Sequence, residues 1–174
     1  KNIIEQSFLE ISDLLRNSAS LSNAIEKVIT QITRAIKNGN KIVLFGNGGS
    51  AADAQHIAAE FVGRFMLERE SYPAIALTTD SSVITSLGND YSYDIVFSRQ
   101  CESLVTKGDV VIGISTSGNS KNVEKGINTA KQKGAITIGL LGNDGGTIIN
   151  NVDFSIVVNS NSTPRIQEAH RVIY

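Results

Sequence analysis

From residue 41 onward, short and almost continuously apolar runs alternate with stretches of helical periodicity. The apolar runs are rich in β-branched residues and lie at 41–46, 74–79, 109–116, 135–141 and 154–158. Such runs are typical of strands buried on both faces of a parallel sheet. Helical patterns separate them at 51–68, 81–87, 93–105 and 121–133. The alternation therefore predicts an α/β fold, a doubly wound, five-stranded parallel sheet of flavodoxin-like type flanked by helices with right-handed crossovers.

The first 37 residues carry a different pattern, in which apolar side chains recur every three or four positions. Serine-rich residues 17–22 divide this segment into two predicted helices, and Gly39 ends the second. Their wide apolar faces predict packing on the sheet or pairing with another subunit. We therefore expect one domain over residues 1–174, with an N-terminal helical segment at 1–37 and an α/β core at 41–174.

Composition argues against several classes of partner. The 174 residues carry a formal net charge of −1, and no run of Lys or Arg exceeds a pair, so a nucleic-acid surface is not predicted. No apolar run approaches the roughly 18–20 residues of a membrane span. A single cysteine, Cys101, excludes a disulfide within the chain and suits a reducing compartment. We expect a cytoplasmic protein.

Three polar loops follow the first three predicted strands, at 47–50, 78–82 and 115–120. The carboxyl ends of parallel strands share one edge of a sheet, and ligands bind there at the point where strand order reverses. The loop at 115–120, S-T-S-G-N-S, combines hydroxyl donors with Gly118 and a predicted helix start, which suits a phosphate group. It lacks the lysine of a P-loop. G-N-G-G-S-A at 46–51 departs from the dinucleotide fingerprint, since an acidic residue would fall before the second strand, so a monophosphate ester is favoured.

His56 and Glu60 stand four residues apart on the predicted helix that follows the first loop, and therefore share one face of it. Three interpretations remain open from the residues alone. The pair could form half of a divalent metal site, Glu60 could be a general base, or both could be ordinary surface residues. A second polar cluster near the end of the chain, with Gln167, Glu168 and His170, offers further ligands or a solvated helix face.

Together these segments resemble the sugar isomerase (SIS) domain family and, within it, the phosphoheptose isomerases. The resemblance spans essentially the whole chain. It is carried by G-N-G-G-S-A-A-D-A-Q-H-I-A-A-E-F from residue 46, G-R-F from 63, Y-P-A-I-A-L-T-T-D from 72, G-N-D-Y-S-Y-D from 88, G-I-S-T-S-G-N-S-K-N-V from 113 and R-I-Q-E-A-H from 165. It implies a homotetramer with active sites between subunits.

The resemblance also implies a reaction, the aldose–ketose isomerisation of D-sedoheptulose 7-phosphate to D-glycero-D-manno-heptose 7-phosphate through an enediol. Glu60 matches the family's catalytic glutamate, and His56, Glu60 and Gln167 match positions that hold zinc in some members. The substrate-binding positions of the family match Asn47, Gly48, Gly49, Ser50, Arg64, Asp90, Ser115, Thr116, Ser117, Ser120 and Gln167. The product would supply heptose for bacterial surface polysaccharide, either lipopolysaccharide or capsule.

Two features depart from the family pattern. Its second catalytic residue, a histidine eight positions after the R-I-Q-E glutamine, would fall at position 175, in a last helix that we expect to continue beyond Tyr174. Pro164 stands where some members have an aspartate. The competing hypothesis is a non-catalytic SIS-domain protein that binds a sugar phosphate or associates with a replication initiator. His56, Glu60 and Gln167 together favour the enzyme, and no helix-turn-helix pattern supports a transcription regulator.

Overall fold

The computed structural model describes residues 2–174. Within them, helices and strands follow in the order α1 (Ile3–Ser18), α2 (Ser22–Lys37), β1 (Ile42–Gly46), α3 (Gly49–Val62), β2 (Ala74–Ala76), α4 (Ser81–Asp90), α5 (Val96–Leu104), β3 (Val110–Ser115), α6 (Lys121–Gln132), β4 (Ile136–Gly142), β5 (Phe154–Val158) and α7 (Thr163–Ile173). Short 3-10 turns lie at Ala19–Leu21, Tyr93–Ile95 and Ile148–Asn150.

The five strands form one sheet in the order β2-β1-β3-β4-β5, and every neighbouring pair is parallel. This confirms the predicted doubly wound sheet. All residues of β1 and of β3 are buried, as expected for central strands that are covered on both faces. The strand order reverses between β1 and β3, so the loops that leave these two strands meet at the centre of the carboxyl edge.

Alternate side chains of β1 point into two separate cores, because successive residues of a strand face opposite sides of the sheet. Ile42 and Leu44 pack with residues of α2 and α3 on one face, and Val43 and Phe45 pack with α5 and α6 on the other. In the second core the rings of Phe45 and Phe97 stack with their centroids 4.9 Å apart. Cys101, the single cysteine, is completely buried in the same layer.

The two N-terminal helices have different partners. The 3-10 turn at Ala19–Leu21 separates them within the predicted break, and α2 packs on the sheet through buried Val28 and Ala35. By contrast, α1 contains no buried residue and packs mainly on α7, where Leu14 and Leu15 contact a small core cluster. Ile3, Ile4 and Phe8 on α1 are 83%, 62% and 71% exposed. An apolar face is thus left uncovered in the single chain.

Several predicted element ends are wrong, among them that of α4, which ends at Asp90 rather than at residue 87. Helix α3 ends at Val62 rather than at residue 68, because its last carbonyls find partners outside the helix: Arg69 donates to the carbonyls of Glu60 (2.8 Å) and Phe61 (3.0 Å). Strand β2 ends at Ala76 rather than at residue 79. There the hydroxyl of Thr79 donates to the carbonyl of Ala76 across a turn, at 3.3 Å.

Candidate active site

The loop after β3 brings three serine hydroxyls together. We call residues 115–120 the hydroxyl loop. The Ser115 hydroxyl oxygen lies 3.0 Å from that of Ser120 and 3.5 Å from that of Ser117. Ser115 is 3% exposed, and its hydroxyl also accepts a bond of 3.1 Å from the backbone N–H of Gly118. This spacing lets one tetrahedral oxyanion receive several hydroxyl donors at once.

The hydroxyl loop runs directly into α6, whose first turn offers unpaired N–H groups. Ser120 is the residue before the helix, and its side chain makes no capping hydrogen bond. The positive end of the helix dipole and the free N–H groups together favour an anion at this position. Thr116, at the start of the loop, is half-buried. The loop therefore has the donor groups and the helix start that a phosphate site requires.

The loop after β1 is tied to the same region by a pair of amides. Asn47 and Asn122 exchange two hydrogen bonds of 2.9 Å through their side chains, and Tyr93 donates to the Asn47 oxygen at 3.2 Å. Asn122 is 4% exposed in the first turn of α6. Sequence reasoning missed both Asn122 and Tyr93. The one available signal for Asn122 was its place just after the hydroxyl loop.

The start of α3 brings Gln167 to the loop after β1. A Cβ on Gly49 would overlap the Gln167 amide, so only glycine lets Gln167 keep this position. Gly48 has φ +55, a left-handed conformation that glycine adopts without strain. Ser50 is 4% exposed and donates its backbone N–H to the carbonyl of Asn47 at 3.0 Å. Gln167 thus joins the predicted substrate residues at this edge of the sheet.

His56 and Glu60, which we call the α3 pair, do share one face of α3. Their Nε2 and Oε1 atoms are 3.4 Å apart, and their side chains are 59% and 39% exposed. The pair lines an open hollow of about 310 Å³ together with Phe61, Phe65, Arg69, Arg171 and Tyr174. The exposed position leaves the Glu60 carboxylate accessible to a ligand.

Asp53, one turn before His56, fastens the end of α7 to α3. Its carboxylate is 2% exposed and accepts bonds from Arg171 Nε at 3.2 Å and from the Tyr174 hydroxyl at 3.0 Å. Burial and the Asp53 carboxylate raise the pKa of Tyr174 to about 12, so the hydroxyl stays protonated and donates. Sequence reasoning did not single out Asp53, because an acidic residue inside a helical pattern is ordinarily solvated.

The structure does not gather every predicted residue into one cluster. Arg64 lies beyond the end of α3 and pairs with Glu68 at 2.9 Å, and Asp90 ends α4, where it accepts a bond of 2.9 Å from Asn89.

His170, considered as a ligand or catalytic group, is wrongly placed for either role. It is completely buried, and its Nε2 donates to the carbonyl of Leu141 at 3.1 Å. Burial also lowers the pKa of His170, which keeps the ring neutral.

The α3 pair fits two positions of a tetrahedral zinc shell. Zinc–ligand distances of about 2.0–2.2 Å at tetrahedral angles place two donors roughly 3.4 Å apart, which matches the Nε2–Oε1 separation. Gln167 lies against Gly49, seven residues or about 10 Å of helix before His56. Within residues 2–174, no group of three or more His, Cys, Asp or Glu side chains has the arrangement of a metal site.

Comparison with known proteins shows the family to which this chain belongs. The SIS domain family model matches residues 8–142. The phosphoheptose isomerase of Geobacter metallireducens is 51% identical over 94% of this chain and 91% of its own length, and that of Clostridium acetobutylicum is 50% identical over 99% and 90%. The chain belongs to the phosphoheptose isomerase family of SIS domains.

Solved structures of this family share the whole fold. The phosphoheptose isomerase of Neisseria gonorrhoeae superposes with a TM-score of 0.93 at 39% identity, over 98% of this chain and 91% of the other. The enzyme of Francisella tularensis gives 0.94 at 32% identity over the same shares. In the part of the chain that the structure describes, every helix is too short or too polar to cross a bilayer.

Proposed function

We propose that this phosphoheptose isomerase family member interconverts D-sedoheptulose 7-phosphate and D-glycero-D-manno-heptose 7-phosphate. The observation that carries the proposal is that one chain holds both a hydroxyl-lined anion site at the carboxyl edge of the sheet and an accessible carboxylate, Glu60, near the end of the helix that leaves β1. Curated relatives at 50–51% identity carry the name phosphoheptose isomerase, which favours catalysis over a non-catalytic SIS-domain role.

The hydroxyl loop would bind the 7-phosphate, with Ser115, Ser117 and Ser120 as donors at the start of α6. Anchoring the charged end fixes the sugar chain and converts proton transfer into a reaction between positioned groups. The loop after β1, held by the Asn47–Asn122 amide pair, then presents backbone groups to the sugar. Substrate binding therefore depends on the two loops that meet where strand order reverses.

Glu60 would act as the base that moves the proton. Starting from the ketose, its carboxylate takes the proton from C1 while O2 gains a proton from a second acid or from water, which gives the C1–C2 enediol. Return of the carbon-bound proton to C2, with loss of the O1 hydroxyl proton to that second group or to water, gives the aldose. A positioned acid–base group supplies about 10²–10⁴-fold in such steps. His56, whose Nε2 is 3.4 Å from Glu60 Oε1, would hold the carboxylate in place.

We further propose one zinc ion per subunit, held by His56 and Glu60, with Gln167 as a predicted third ligand. A bound zinc would supply Lewis-acid polarisation of a substrate oxygen. The 3.4 Å separation of the pair supports this assignment. In its own chain, Gln167 lies against Gly49 at the start of α3, about 10 Å of helix away from His56. We therefore expect the zinc ligands beyond His56 and Glu60 to come from a second copy of the chain.

A homotetramer with active sites between subunits would provide that second copy. Exposed apolar residues on α1 and after α3 support it, among them Phe8 at 71%, Phe65 at 62% and Met66 at 88%. Exposed patches of this kind mark protein–protein contacts. The predicted partners remain a sugar phosphate and further copies of this chain, in the cytoplasm, with heptose for surface polysaccharide as the outcome.

The deciding experiment follows sedoheptulose 7-phosphate by NMR with the full-length protein in D₂O. We expect the aldose 7-phosphate to form with deuterium at the transferred position, because an enediol intermediate lets the base exchange its proton. Chelation should lower turnover and added zinc should restore it. Binding of the sugar phosphate without turnover would instead support the non-catalytic SIS-domain hypothesis. Full turnover by protein shown to be free of metal would reject the zinc.

A further inference from the structure

Asn119 is the one residue of the hydroxyl loop whose side chain makes two hydrogen bonds to backbone. Its Oδ1 accepts from the backbone N–H of Thr147 at 3.0 Å, and its Nδ2 donates to the carbonyl of Ser117 at 3.0 Å. Its own backbone N–H donates to the Ser117 hydroxyl at 3.1 Å. The amide therefore connects a hydroxyl donor of the loop to a different part of the chain.

That other part is residues 143–147, which follow β4 and which we call the brace loop. Its backbone is unusual, since Asn143, Gly145 and Gly146 have φ values of +59, +89 and +54. A Cβ on Gly118 would overlap the backbone of Gly145, and one on Gly146 would overlap Gly118. The backbones of the two loops thus pack directly against each other beside the Asn119–Thr147 bond, with no room for either loop to shift toward the other.

The brace loop is in turn fixed to α6. Glu124, in the first turn of that helix, accepts a bond of 3.1 Å from the Thr147 hydroxyl and one of 2.8 Å from Asn151 Nδ2. The backbone N–H of Ile148 donates to the carbonyl of Gly118 at 3.0 Å, which adds a direct link between the loops. Asn119 therefore joins the hydroxyl loop to a support that is anchored on the helix beginning the anion site.

Such a support matters because a loop made of serine, glycine and asparagine has many conformations when unrestrained. Ordering it on binding would cost conformational entropy and weaken the affinity for phosphate. Both polar ends of the Asn119 amide already have backbone partners, which leaves its contribution as holding rather than touching a ligand.

We propose that Asn119 is a positioning residue that holds the Ser117 segment ready for the substrate's phosphate by tying it to the brace loop. This inference rests on the proposed function, because it takes the hydroxyl loop as the phosphate site. It predicts an effect on substrate affinity and none on proton transfer, since Glu60 lies on a different helix.

The test compares Asn119→Ala with Asn150→Ala, an exposed asparagine three residues after Thr147. We expect Asn119→Ala to raise KM for sedoheptulose 7-phosphate about tenfold, the effect of losing two hydrogen bonds, with kcat within about twofold. The inhibition constant of inorganic phosphate should rise in parallel. Asn150→Ala should leave both values unchanged. Partial unfolding cannot mimic this result, because it lowers kcat without raising KM.

A second pair of variants isolates the bond from the side chain. Thr147 has φ −73, a value that proline can adopt. Thr147→Pro therefore removes the backbone N–H that donates to Asn119 Oδ1 and places a ring carbon on that nitrogen. Thr147→Val keeps the N–H and loses only the bond to Glu124. We expect a raised KM for the proline variant and a value within about twofold of the wild type for the valine variant.

An unchanged KM in Asn119→Ala, or a lowered kcat at unchanged KM, would overturn the proposal. Calorimetric titration of the same variants with inorganic phosphate and with sedoheptulose 7-phosphate provides a readout that needs no turnover. If the wild type binds both but does not isomerise the sugar, the proposed function fails while the titration still decides the role of Asn119. A wild type that binds neither compound overturns the phosphate assignment and this inference with it.

Discussion

The hydroxyl loop and the α3 pair lie in different parts of the molecule and differ in their surroundings, since the loop follows β3 at the carboxyl edge of the sheet and the pair lies about two to three turns along α3. Ser115 is 3% exposed, and its hydroxyl forms hydrogen bonds with the Ser117 hydroxyl and the Gly118 backbone N–H. His56 and Glu60 are 59% and 39% exposed, and their one mutual contact spans 3.4 Å. The hydroxyls of the loop thus have their hydrogen-bond partners within a single chain, whereas the candidate base stands in an open hollow.

This difference separates two tasks of the proposed enzyme. Tight binding of a phosphate needs hydrogen-bond donors that are already fixed in position, and here neighbouring loops hold the donors of the hydroxyl loop. Proton transfer needs a carboxylate in a defined and partly dry environment, which here would come from a second copy covering the exposed apolar residues. Substitutions in the two regions should therefore alter different kinetic constants.

The largest effect is expected from Glu60→Gln. It keeps the size of the side chain but removes the base, so kcat should fall by about 10²-fold or more while KM changes little. Steady-state assays and circular dichroism provide the measurement. Glu102→Gln is the matched control, because Glu102 pairs with Arg99 at 2.6 Å on α5, on the opposite face of the sheet. Near-normal turnover of the Glu60 variant would remove Glu60 from the mechanism.

A double substitution, Ser117→Ala with Ser120→Ala, tests the other region. Two hydroxyl donors to a charged group are lost, so KM for the sugar phosphate should rise by roughly 10- to 100-fold with a smaller change in kcat. Titration with inorganic phosphate provides a second measurement. Affinity equal to that of the wild type would mean that phosphate binds elsewhere.

The smallest kinetic effect is expected from Phe8→Glu, which places a charge on the exposed apolar face of α1. Burying a phenylalanine stabilises a contact by about 1.5–3 kcal/mol, so the charged variant should dissociate at low protein concentration. Light scattering should show a smaller particle than the tetramer proposed for the wild type, and kcat should fall several-fold with phosphate affinity unchanged. Gln132→Glu, an exposed position on α6, is the control and should keep the wild-type mass.

If Phe8→Glu keeps both its mass and its kcat, the open hollow does not depend on subunit contacts through α1. The contrast between the two regions would then reflect exposure alone. If Phe8→Glu instead loses phosphate affinity, the hydroxyl loop also depends on subunit contacts, and the two regions do not differ in this respect.

The sheet could be predicted from the sequence because its signal is local. Central strands such as β1 and β3 are covered on both faces, so nearly every residue in them is apolar, and the helices between them fix parallel order. The end of α3 was predicted too far along the chain, because apolar residues continue beyond it, although Gly63 directly after Val62 is a common helix stop. Arg69, nine residues after Glu60, donates a hydrogen bond to the Glu60 carbonyl at the end of the helix. Hydrophobic periodicity does not indicate such a contact.

The site was predictable to a similar depth. The serines and glycine of the hydroxyl loop predict an anion site, because they supply hydroxyl donors and allow close approach of the backbone. The four-residue spacing predicts that His56 and Glu60 share one face of a helix. What the sequence could not indicate are side chains that serve the site from a distance along the chain, such as Asn122 on Asn47 or Arg171 on Asp53. Gln167 was singled out, but its place against Gly49 follows only from how α7 packs.

Cys101 has a consequence for how this molecule can be studied. Burial in the core, followed by the nearby charge of Glu102, raises the pKa of its thiol to about 12. The reactive thiolate is therefore almost absent at neutral pH, and electrophiles cannot reach the sulfur while the core is intact. A thiol reagent can then modify the native protein only when the layer that holds Phe97 and Cys101 opens. The rate of Cys101 labelling therefore reports how often this layer opens.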